Sequence, residues 1–86
     1  MVQAEHEDLD GWIDALRGRL GRGELRDHAP VEVGRVVMGA EQAARILLAD
    51  LDHQDWLLAR RGTDMFATAR RRDLLDELRR LREQLG

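Results

Sequence analysis

The sequence predicts a mainly α fold carrying one small β-hairpin. Three observations lead there. Leu9, Ile13, Leu16 and Leu20 recur at helical spacing near one end of the chain, and Leu74, Leu78, Leu81 and Leu85 near the other. Ala44, Leu47, Leu48 and Leu51 mark a third apolar stripe between them. Trp56 and Phe66 fall off the stripes of the helices that flank them, which points to a hairpin over that stretch.

The first element is an amphipathic helix over residues 8–20, capped by Asp8, closed by Gly21 and Gly23, and weakened by Gly11 and Gly18. Pro30 suits the first turn of a second helix, expected over 30–38 with Val33, Val36 and Val37 on its apolar face. Gly39 interrupts the pattern, and a third helix follows over 40–53. Residues 56–60 and 65–69 read as two strands joined by the turn Arg61-Gly62-Thr63-Asp64, so the hairpin spans 56–69. Trp, Phe and Thr favour strands there. The last helix covers 70–85. Its leucines, spaced 4, 3, 4, form a narrow seam of the kind two helices share. That seam can close on helix one or on a second copy of the chain, and a homodimer is expected.

Composition narrows the function. The chain has 86 residues and no cysteine, so it reads as a single domain, 1–86, without disulfides or thiolate metal sites. A domain this short buries only about 60% of its unfolded surface, which favours support from a partner chain. Ser, Cys, Lys and Tyr are all absent, and these supply most covalent catalysis, so no enzyme and no cofactor are expected. Asp50 and His53 can share a helix face as metal ligands, but the further carboxylates and second histidine of a dinuclear site are missing, and no metal is expected. Trp12 and Trp56 are expected to anchor the core. No apolar run is long enough to span a membrane, and Met1 leads into the acidic stretch Glu5–Asp10 rather than a basic leader, so the expected location is the cytoplasm.

Charge is unevenly spread. Residues 1–59 hold 12 acids and 6 arginines, whereas residues 60–86 hold 8 arginines and 5 acids. The basic clusters Arg60-Arg61, Arg70-Arg71-Arg72 and Arg79-Arg80 suit either a solvated helix face or a phosphate-facing surface.

The expected order of elements, a helix, two helices joined tightly at Gly39 and then a hairpin, is that of a winged helix-turn-helix. Over about residues 13–69 the chain resembles the DNA-binding domain of GntR-like transcription regulators. Gly23-Glu24-Leu25 matches that family's Gly-x-Leu, Ala29-Pro30 its Leu-Pro and Val33-Gly34 its Leu-Ala. Arg45, Leu48 and Leu51 match the recognition helix, and Gly62 and Phe66 the wing. Ala40 and Glu41 stand where the family has Ser-Arg, and Asp64 where it has a second wing glycine.

The resemblance implies a sequence-specific transcription regulator bound to double-stranded DNA, with 40–53 as recognition helix and 70–85 as dimerisation helix. Gln42 then pairs with adenine, Arg45 with guanine or phosphate, and Glu41 with cytosine N4. Arg60, Arg61 and Thr63 at the wing, followed by Arg70 and Arg71, meet the backbone or minor groove. Leu74, Leu78, Leu81 and Leu85 form the dimer interface. The alternative is a winged-helix or all-helical interaction module, or a small subunit of a larger assembly, that binds protein and not DNA. Glu41 and the acidic N-terminal half of the chain support it.

Overall fold

The computed structural model describes residues 2–62 and 64–86, with side chains from Leu9 onward. It is mainly helical with one small antiparallel hairpin, as the sequence predicts. Its elements are α1 (Val2–Gly21), β1 (Val31–Val33), β2 (Val36–Met38), α2 (Ala40–Arg61) and α3 (Met65–Leu85). The hairpin therefore lies before the long helix, not after it.

Two expectations are corrected. The helix over 30–38 is the hairpin, and the hairpin over 56–69 is the end of one helix and the start of the next. At 30–38 the deciding features are β-branched residues around a two-residue Gly-Arg loop. Gly34 has φ +61° and no described non-glycine residue has positive φ, the signature of a type II′ turn. The register pairs Val31 with Met38, Glu32 with Val37 and Val33 with Val36. Pro30, expected in a helical first turn, instead precedes β1.

At 56–69 the chain stays helical because nothing in 54–61 breaks a helix. The break falls at Gly62, with φ +73°, whose N–H donates to the Leu58 carbonyl. Asp64 then starts α3 by accepting from the Phe66 and Ala67 amides, each at 3.0 Å. At the other end of the chain, Gly21 closes α1 as expected, but the helix already runs through residue 8, so Asp8 is no N-cap.

α2 and α3 form an antiparallel helical hairpin, and the chain's largest packing interface lies between them. Ala40, Ala43, Ala44, Leu47, Leu48 and Leu51 of α2 are buried with Leu74, Leu78, Leu81 and Leu85 of α3. The three alanines give the leucines opposite and Val31 room to approach. α1 lays Leu9, Ile13 and Leu16 on the same core, and Leu25 pins the connecting loop into it. The β-hairpin rests on the C-terminal half of α3. Glu32, opposite Val37, turns its backbone to the outer edge of β1, where the Gln84 carboxamide takes the place of a neighbouring strand. The Glu32 amide donates to Gln84 Oε1 (2.7 Å), and Gln84 Nε2 donates to the Glu32 carbonyl (2.8 Å).

Candidate functional site

The residues expected to meet DNA do not converge. Glu41, Gln42 and Arg45 sit in the first turns of α2, whereas Arg60 and Arg61 sit in its last turn. At 1.5 Å per residue these groups lie about 25 Å apart along one helix. Arg70 and Arg71 belong to α3 near its start, and Thr63 lies outside the described residues. Gly62 and Phe66, matched above to a wing, sit at a helix C-cap and in the first turn of a helix.

Most of these arginines are held by carboxylates of the same chain. Arg45 lies 3.7 Å from Glu41, which also meets Arg26 at 3.4 Å. Arg70 closes on Asp50 at 2.6 Å and Arg71 on Asp55 at 2.6 Å, bracing α3 against α2 from two positions. Arg61 reaches Asp64 at 3.7 Å. Arg60 places its guanidinium 4.9 Å above the Trp56 ring, a cation–π contact. Each arginine–carboxylate pair is largely exposed and contributes little to stability, but each reduces the positive field a phosphate would meet.

The expected dimer seam is also accounted for. Leu74, Leu78, Leu81 and Leu85 are 1%, 0%, 1% and 8% exposed within a single chain. They close on α2 and the β-hairpin, so the dimer-interface assignment of these four residues is corrected. The stripe predicted which residues are buried, but not that their own chain covers them.

The structure exposes instead Met65 and Phe66 in the first turn of α3, and Trp56 on the outer face of α2. Met65 is 85% exposed, Phe66 90% and Trp56 54%. Trp56, expected in the core, points outward because α2 continues straight and leaves position 56 opposite its buried stripe. His53 stacks on it with ring centroids 6.2 Å apart. Trp12 does pack against the core. A hollow of about 520 Å³ is lined by Asp55, Leu58, Thr68, Arg71, Arg72 and Leu75. A second, of about 370 Å³, is lined by Asp64, Met65, Thr68, Ala69 and Arg72. The two meet at Thr68 and Arg72 of α3.

Among the described residues three ionisable groups are displaced from their ordinary range. The Gln54 amide, donating to Asp50 at 2.9 Å, and then the Arg70 guanidinium hold the Asp50 carboxyl below the usual range, against partial burial. Arg17 is raised by its bidentate bond to Asp52, at 2.8 and 3.0 Å, which ties α1 to α2. Glu24 is lowered by its hydrogen bond from Arg22. Among the described residues no group of three or more His, Asp or Glu is placed to hold a metal ion. Asp50 is engaged by Gln54 and Arg70, and His53 by Trp56, so that pair forms no ligand set. No described helix is long and apolar enough to cross a membrane.

The sequence reading missed Met65, and it placed Trp56 and Phe66 in a hairpin. The available signal was the misfit itself. A large apolar residue off every stripe of two good helices is also what a surface anchor looks like. Comparison with models of protein families, with curated proteins and with solved structures returned no match.

Proposed function

We propose that this chain is a small, non-catalytic helical module that binds another protein through the α2–α3 corner. The observation that carries the reading is the exposure of Trp56, Met65 and Phe66 in a chain that buries ten of its fourteen leucines and partly buries the other four. Phe66 is the chain's only phenylalanine and Trp56 one of its two tryptophans. Exposing such side chains to water is unfavourable by roughly 1.5–3 kcal/mol for one the size of Phe or Met, so the first turn of α3, which carries Met65 and Phe66 side by side, favours being covered. Trp heads the residue types that dominate binding energy at interfaces, and Phe and Met are also enriched there. A self-associating form would have to use surfaces other than the leucine seam.

DNA binding remains as the second reading on one observation: residues 56–72 hold five arginines and a single acid. It has lost the support of a wing after the recognition helix.

One paired experiment separates the two. Met65→Ser/Phe66→Ser and Arg60→Ala/Arg61→Ala are compared with the unaltered chain. Each is tested for cross-linked protein partners and for binding of mixed-sequence duplex DNA at about 50 and about 200 mM salt. The module reading expects partners that disappear with the serine variant, and no salt-dependent DNA binding. DNA binding that falls steeply with salt, weakens in the alanine variant and survives in the serine variant overturns it.

A further inference from the structure

A hollow of about 620 Å³ lies between the C-terminal end of α1, the loop after it and the middle of α2. That size falls within the roughly 300–1,000 Å³ of small-molecule sites. Its floor is aliphatic: Leu48 is buried, Leu20 is half-buried, and Ala49 lies beside them. No aromatic ring lines it among the described residues. Around that floor stand Arg17, Arg26 and Arg45, against a single lining carboxylate, Asp52.

The three arginines are not equally engaged. Arg17 gives both Nη atoms to Asp52, at 3.0 and 2.8 Å, and the two charges cancel. Arg26 and Arg45 instead share one oxygen, Glu41 Oε2, at 3.4 and 3.7 Å. A single carboxylate thus serves two guanidinium groups, and both contacts are longer than the roughly 2.7–2.9 Å of a charge-assisted hydrogen bond. Among the described residues Arg45 donates no hydrogen bond and Arg26 donates this one alone. Their side chains are 61% and 72% exposed, so either guanidinium can take a new partner without opening the core. One positive charge is left over, and it stands at the rim of an apolar floor.

Charge and surface together select the ligand. A dianion would exceed the single surplus charge and be repelled by Glu41. A bare inorganic anion would leave Leu20 and Leu48 facing water. A monoanionic carboxylate sets its oxygens against the guanidinium N–H groups, and its hydrocarbon covers the floor. We infer that this hollow binds a small aliphatic carboxylate, with the carboxylate on Arg26 and Arg45 and the hydrocarbon on Leu20 and Leu48. The hollow shares no lining residue with the first turn of α3, so the inference stands apart from the partner-binding reading.

The test titrates the intact, 15N-labelled protein with octanoate, below the concentration at which it self-associates, and separately with octanol and with inorganic phosphate. Octanoate should bind at least about tenfold more tightly than either, a difference of about 1.4 kcal/mol. It should move the amides of Leu20, Gly21, Leu48 and Ala49 first. Arg26→Gln/Arg45→Gln should lower octanoate to the level of octanol. Glu41→Gln, which releases both guanidinium groups, should tighten octanoate severalfold. Thermal melts check that these variants keep the fold, and the three probes on the unaltered chain need no substitution at all.

Absence of octanoate binding, equal binding of octanol or phosphate, or an affinity that the double arginine substitution leaves untouched overturns the inference. So does a weaker complex with Glu41→Gln. Shifts centred on Met65 and Phe66 also overturn it, because the hydrocarbon then settles on the exposed turn of α3 and not in the hollow.

Discussion

Asp50, Leu78 and the Met65–Phe66 pair each take a role that the surrounding fold decides. Asp50 is held below the normal carboxylate range by Gln54 and Arg70. Its contribution to stability is therefore complete above its unfolded pKa of about 3.9 and is lost as pH falls through the lower folded value. Asp50→Asn should flatten the acid limb of a stability–pH profile below about pH 4 and leave the neutral region lower by about 0.5–1 kcal/mol, as for a partly exposed pair. Chemical denaturation across pH checks both parts. Leu78 is wholly buried, and Leu78→Ala should cost about 2–5 kcal/mol. Leu78→Glu should abolish cooperative unfolding rather than yield a folded monomer, because the seam it interrupts is the chain's own core. Met65→Ser/Phe66→Ser should change stability by no more than about 0.5 kcal/mol, which separates a surface kept for binding from one needed for folding.

At the scale of elements, two local devices decide where helices start and strands turn. Asp64 caps α3 with two hydrogen bonds, so Asp64→Ala should cost about 1 kcal/mol and fray the first turn that carries Met65 and Phe66. Amide exchange at residues 66–68 reports it directly. Gly34 has open space where a side chain would go, so the cost of Gly34→Val is conformational, about 1–2 kcal/mol from its positive φ. It should loosen the hairpin and leave the α2–α3 pair intact. Both devices are legible as residue types, yet the sequence reading assigns neither of them correctly. Asp64 was given to a hairpin turn because Trp56 and Phe66 were required to be buried. The Val-rich, Gly-Arg-centred stretch at 31–38 was given to a helix because its valines also fit a short helical face. Three-residue strands carry too few positions for periodicity to separate the two.

At the scale of the whole molecule, the radius of gyration is 13.4 Å, against about 12 Å for a compact chain of this length. The excess reflects an elongated outline, 39 × 32 × 25 Å along its principal axes. The chain should sediment as a monomer at concentrations where the leucine seam, were it an interface, would hold a dimer. Analytical ultracentrifugation of the intact protein tests this, and a dimer that survives Met65→Ser/Phe66→Ser would point to the exposed Val36 and Val37. The amino-acid sequence by itself determined the fold class and the core face of each long helix, because helical periodicity is a local property that survives any arrangement of partners. It determined the buried leucines of α3 in the same way. Only the tertiary structure decided what those leucines pack against, which arginines are neutralised, and which large apolar side chains stay in water. Those outcomes depend on pairings between residues far apart in the chain, such as Glu32 with Gln84 or Asp50 with Arg70, and no spacing along one segment encodes them.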